Sequence, residues 1–187
     1  FILLALGFAI YAFIPSAMAA HLLAILQREG LDAFSAVVVG AMFGPAQVAA
    51  RLMQLLFGRA IHPLVLARII IAILLGAFAI LLSAGVPFWT AMLFAMLFGG
   101  VNGLVTIVRG VLPLAMFGPR DYGHLMGRLA LPFLLVQALA PVTMAFLIEK
   151  LSDDAAMAIA GSLGVITFIC LMMLRMPQAQ PHQSRRV

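Results

Sequence analysis

Six long apolar runs, each ended by a short polar or turn-rich joint, organise this chain. They cover approximately residues 1–26, 33–57, 64–83, 87–117, 126–149 and 155–175. The joints read "QREGLD", "GRAIHP", "SAGVP", "GPRDYGH" and "KLSDD". A helix that crosses the hydrocarbon core needs about 20 mainly apolar residues. The pattern therefore predicts six transmembrane helices forming one all-α integral membrane bundle over 1–176. The closing stretch "MPQAQPHQSRRV" lacks such a run and reads as a disordered tail over 177–187.

Composition agrees with this pattern. Of 187 residues, 65% are hydrophobic and 9% charged, against about 25% charged in a soluble domain. So little polar surface cannot clothe a water-facing exterior, and the expected surroundings are a lipid bilayer. The single Cys170 excludes an internal disulfide and a cysteine-based zinc site. His21, His62, His124 and His182 are scattered without ligand spacing, so neither a metal nor a cofactor is expected. The chain opens on Phe1 inside an apolar run, without an initiator Met or basic leader. That opening suggests a segment of a longer protein or a processed form.

A net charge of +5 would point to nucleic acid in a soluble protein, but its placement points elsewhere. If the second-to-third joint, the fourth-to-fifth joint and the C-terminus share one side, that side holds Arg51, Arg59, Arg68, Arg109, Arg120, Arg128, Arg175, Arg185 and Arg186. These are nine of the eleven basic residues, and they stand with one acid, Asp121. The opposite side holds Arg28 and Lys150 with Glu29, Asp32, Glu149, Asp153 and Asp154. Positive loops stay in the cytoplasm. A multi-pass protein of the cell (inner) membrane is expected, with both ends of this segment cytoplasmic and no nucleic-acid partner.

Polar residues are distributed unequally among the spans. The third and sixth are almost wholly apolar and read as lipid-facing supports. The first carries Tyr11, Ser16 and His21, the last of these read as a surface histidine near the outer end. The second carries Gln47, Arg51 and Gln54 at i, i+4 and i+7, one helical face. The fourth repeats that spacing with Asn102, Thr106 and Arg109, and the fifth has Gln137 near its centre. A charge at bilayer depth costs at least about 2.5–3.5 kcal/mol, so these faces are expected to meet other helices or a water-filled cavity. At 1.5 Å per residue, Arg109 lies about 10 Å from Asn102 toward the cytoplasm. The stripe thus runs from the midplane to the inner surface.

The candidate pathway residues are Asn102, Thr106, Arg109, Gln137, Gln47, Tyr11 and Ser16. Each has a plainer reading. Asn102 can bond a neighbouring helix, Ser16 can bond its own backbone, and Arg109 can snorkel to headgroups or brace a gate. Arg109 can equally attract an anion and donate two parallel bonds to a carboxylate or phosphate. Arg51 reads first as a cytoplasmic gate or loop anchor. Proline withholds the bond to the carbonyl four residues earlier, so Pro15, Pro113 and Pro141 free the carbonyls of Tyr11, Arg109 and Gln137. Gly99 and Gly103 form a small-xxx-small pair that admits a close helix.

With these features the chain resembles one half of a major facilitator superfamily transporter, best the C-terminal half, helices seven to twelve. "GPAQVAARLMQLLFGR" (44–59) resembles helix eight running into its basic cytoplasmic loop. Residues 99–150, from "GGVNGLVTIVRG" through "GPRDYGH" to Lys150, resemble helices ten and eleven. Gly58 and Arg59 match the closing Gly-Arg of the family's loop signature. Arg51 stands in place of its first Gly, and Leu55 and Leu56 replace its Asp-Arg pair, so the Asp of the family's conformational latch is missing here.

The resemblance implies two inverted three-helix repeats in a half-bundle, with the first and fourth helices lining a cavity and the third and sixth outside. It also implies a secondary transporter moving a small solute by alternating access. The partner would be a missing N-terminal six-helix half or a second copy of a half-size transporter. No Asp or Glu lies within the apolar interior of a span, so a proton-driven transporter would take its coupling acid from that other half; a uniporter or an anion exchanger is the alternative. The competing reading is a structural or assembly membrane protein that transports nothing. No carboxylate pair, metal cluster or activated nucleophile lies at membrane depth, so an enzyme is not expected.

Overall fold

The computed structural model describes residues 1–58 and 60–175; Arg59, expected in the cytoplasmic loop, and the expected tail at 177–187 lie outside them. Seven helices follow in order: α1 (Ile2–Arg28), α2 (Ala33–Ala41), α3 (Phe43–Phe57), α4 (Pro63–Ala84), α5 (Phe88–Phe117), α6 (Tyr122–Lys150) and α7 (Asp153–Met173). Together α2 and α3 make the second span, giving six spans long and apolar enough to cross a membrane. The protein is an all-α membrane bundle.

The second span is not the single helix that its apolar run suggests. Pro45 has no N–H to offer the Ala41 carbonyl, and the regular ladder stops there. Met42 bonds instead to Val39, three residues back, at 3.2 Å. The other boundaries follow their joints. Asp32 caps α2 by accepting from the Ser35 N–H at 3.0 Å, and Ser152 caps α7 through the Ala155 N–H at 3.1 Å. Pro63 opens α4 with His62 as its cap. Gly85 and Gly118 turn the chain with positive φ.

α1 packs chiefly on α6 and α7, while α5 packs chiefly on α3 and α4, and α4 closes on α7. This pattern maps onto itself when the first three spans are exchanged for the last three. Since three crossings reverse direction, inverted repeats would give such a pattern of contacts. No sequence match between residues 1–83 and 87–175 accompanies this relation.

The core is aromatic between α3, α4 and α5: Phe43 meets Phe98 at 5.1 Å, and Phe78 meets Phe94 at 5.3 Å. The third span is more than a lipid-facing support. α4 buries Ala67, Ile70, Leu74 and Phe78 on one side and leaves Ile69, Ile73 and Ile80 exposed on the other. α7 likewise buries Gly161, Gly164 and Leu171. The outermost helices are instead α3, which buries no residue, and α6, which buries Leu129, Phe133, Ala140 and Met144. A helix apolar on all sides gives no sign in its sequence of which face will be covered.

The two ends are tied differently. At one, Arg28 forms a two-pronged pair with Asp153, both N···O distances 2.7 Å, fastening the first joint to the fifth. At the other, the Arg68 guanidinium donates to the carbonyls of Leu171, Met172 and Leu174 at 3.1, 3.2 and 2.7 Å. It thereby satisfies the orphaned C-terminal acceptors of α7 and its negative dipole end. The second joint and the end of the sixth span therefore share a side, as the charge partition requires. Arg128 stacks on Phe1 at 4.9 Å on that same basic side.

Candidate functional site

α5 supplies the central strip of the polar face because Gly99 and Gly103 let α3 lie against it. A Cβ on Gly99 would meet the Phe43 carbonyl oxygen at 2.9 Å, and one on Gly103 the Gln47 carbonyl oxygen at 2.7 Å. The neighbour admitted by this small-residue pair is thus the second span. That approach brings Gln47 and Arg51 beside Gly103, whose carbonyl Thr106 also contacts.

Arg51, expected as a gate or loop anchor, reaches into the strip. Its Nε donates to the Gly103 carbonyl at 3.2 Å, and its Nη2 lies 3.5 Å from Gln47 Oε1. The Thr106 hydroxyl donates to that same Gly103 carbonyl at 2.6 Å. Two side chains from two helices thus converge on one acceptor. Gln54, third in the second-span spacing, turns away and donates to Gly58 at 3.1 Å. Gly58 is buried beneath that side chain and ends α3, so its place is that of a helix terminator.

Asn102 faces the other way along the strip. Its Oδ1 accepts from the Tyr11 hydroxyl at 3.3 Å, where α1 and α5 come close. Tyr11 is buried and Asn102 half-buried. One turn further along α1, the Ser16 hydroxyl donates to the Gln137 carbonyl at 2.7 Å. This is the carbonyl that Pro141 leaves without a helical partner, so one candidate residue satisfies the backbone of another. His21 continues the seam: its Nε2 lies 2.9 Å from the Pro141 carbonyl. It is half-buried in a helix contact, and the sequence reading of it as a surface residue is corrected. Among the described residues no side chain donates to the carbonyls freed by Pro15 and Pro113; Tyr122 donates instead to Gly110, next to Arg109, at 2.7 Å.

The Arg109 guanidinium lies over the Phe133 ring, 4.1 Å from its centroid, as a cation–π pair. Nothing in the sequence marks Phe133 as this partner; a ring is a signal only once the helix facing the arginine is known. The seven pathway candidates come from α1, α3, α5 and α6, with Tyr11 buried beneath the others. Thr106 and Gln137 are exposed, and Gln47 and Arg109 half-buried. Every buried side-chain nitrogen and oxygen among the described residues has a partner.

What this surface offers is hydrogen-bonding groups and positive charge, at membrane depth and on an uncovered side. Among the described residues no three His, Cys, Asp or Glu side chains gather as a metal ion would need. No protein-family model and no curated protein matches this chain, so its reading rests on these residues and their geometry.

Proposed function

We propose that this chain forms a six-helix unit of a secondary transporter, which moves a small solute by alternating access along the polar face of α1, α3, α5 and α6. The observation that carries the proposal is that the polar side chains of Thr106, Gln137 and Arg51 stay exposed, although Thr106 and Arg51 also bond the Gly103 carbonyl. Polar side chains exposed at bilayer depth are stable against water or another protein surface, and not against lipid. The exchange symmetry of the packing supports the same reading, since inverted repeats with a midplane site are the architecture of many transporters. The resemblance to the major facilitator superfamily also supports it.

In this reading the basic end faces the cytoplasm, and the open face meets a second six-helix unit, from the same polypeptide or a second copy. The second unit supplies any proton-coupling carboxylate. The test is two-sided accessibility in liposomes. Asn102→Cys in a Cys170→Ser background should react with a membrane-impermeant thiol reagent offered from either side. Reaction from one side alone would remove alternating access.

A static assembly protein is the second reading, favoured by the bonds Tyr11–Asn102 and Arg51–Gly103, which close polar groups on the protein itself. It requires residue 102 to be unreactive from both sides.

A further inference from the structure

We infer that Arg51 and Arg109 form an anion-binding subsite beside Thr106, which takes the carboxylate or phosphate head of a small organic anion. The inference rests on the pathway reading above and narrows its solute class.

Direction carries the argument. An arginine that serves the membrane surface turns its guanidinium toward the nearest headgroups. Arg109 does the opposite. Its backbone lies about 12 Å from the basic-side end of α5. Phe133, which its guanidinium covers, lies about 16 Å into α6 from the joint that the two helices share. The side chain therefore reaches toward the midplane. Cα–Cβ bonds lean toward a helix N-terminus, and the N-terminus of α5 is at the far end of the bundle, so this is the unforced direction.

Arg51 points inward too. It stands one turn closer to the basic end than Gln47, the residue packed on Gly103, yet its Nε returns to the Gly103 carbonyl. Thr106 connects the pair: its hydroxyl shares that carbonyl, and it precedes Arg109 by one turn on the same face of α5.

Neither guanidinium has a carboxylate partner among the described residues, where the ion pairs are Arg28–Asp153 and Lys150–Glu149. Arg109 is held by a ring, and its guanidinium makes no hydrogen bond among the described residues. Its nitrogens are not sealed off, since no unsatisfied buried side-chain nitrogen is found among the described residues. A planar cation held by a ring, with its N–H groups unbonded, can take a carboxylate or phosphate in two parallel bonds. Two positive charges without an acid at this depth favour anions and repel cations. An anionic lipid headgroup shares this chemistry with a soluble anion.

The test is equilibrium binding to the purified full-length protein of radiolabelled benzoate and phenyl phosphate, with benzyl alcohol as the neutral probe. A parallel arm measures retention of phosphatidylglycerol against phosphatidylcholine in nanodiscs. Saturable binding of an anionic probe is expected, with benzyl alcohol ignored. Arg51→Gln and Arg109→Gln should each weaken it about tenfold or more. Arg109→Lys should lose less, and Arg120→Gln in the α5–α6 joint nothing. Arginine-dependent retention of phosphatidylglycerol alone would assign the same subsite to a lipid headgroup.

Binding of no anion, or binding indifferent to both arginines in variants that melt like the parent, would overturn the inference. Cysteine reactivity at 102 separates the two claims. A reactive 102 without anion binding leaves the pathway and removes the subsite. An unreactive 102 with arginine-dependent binding does the reverse.

Discussion

A Cβ atom added to Gly103 would stand 2.7 Å from the carbonyl oxygen of Gln47, closer than non-bonded atoms approach. Here α3 and α5 meet backbone to backbone, and this contact sets the position of Arg51 beside the polar strip. Gly103→Ala should therefore cost about 1–3 kcal/mol, the usual range for overpacking. Gly110→Ala, whose Cβ would meet open space, should be neutral or stabilising by up to about 1 kcal/mol. Thermal unfolding in detergent compares them, and equal melting of the two variants would contradict the packing.

Arg68 joins α4 to the end of α7 through three carbonyls. Arg68→Met keeps much of the apolar stem and removes all three bonds. It should destabilise by about 2 kcal/mol, given 1.5–3 kcal/mol for a bond to a charged group, and speed proteolysis at the C-terminal end of α7. A variant that melts and is cleaved like the parent would show the cap to be idle.

Ser16 and Pro141 form a coupled pair, although the one stands on α1 and the other on α6. Ser16→Ala leaves the Gln137 carbonyl without its donor. The cost should be about 0.6–1.7 kcal/mol, from the average to the largest value found for hydrogen bonds between membrane helices. In a Pro141→Ala background a backbone N–H returns to that carbonyl, and the cost of Ser16→Ala should shrink. Additive effects in this double-mutant cycle would sink the explanation.

Asp32 gives the fold a small acid sensitivity. Hydrogen bonds from the Ser35 side chain and backbone hold its carboxyl below the ordinary carboxylate value. A lowered folded-state pKa stabilises above the unfolded value, and that contribution is lost as pH falls through the folded one. The melting difference between the parent and Asp32→Asn, which still caps but does not titrate, should narrow as pH falls below the carboxylate range. A difference constant with pH would exclude the cap's charge as its source.

The spans and joints were legible in the sequence because lipid demands a continuous apolar run and a turn needs Gly, Pro or a capping side chain. The spacing of Asn102, Thr106 and Arg109 along one side of a helix was legible as well. What that spacing cannot give is the neighbour. Phe133 under Arg109, Gly103 accepting from Arg51, and His21 on Pro141 depend on how helices rotate against each other. Between helices apolar on every side, small differences in packing decide that rotation. The burial of the third span went unforeseen for the same reason. The break at Met42 did have a signal, Pro45, which the unbroken hydropathy of 33–57 concealed.

The central claim is that the face bearing Asn102 and Thr106 looks into water. Single cysteines placed along α5 in a Cys170→Ser background, in the full-length protein, test it most directly. With Gly76→Cys on the exposed side of α4 as the lipid-facing control, the account predicts rapid reaction with an impermeant thiol reagent at every third or fourth position through 102 and 106, and little at 76. Uniformly slow reaction along α5, or reaction only at 76, would contradict it.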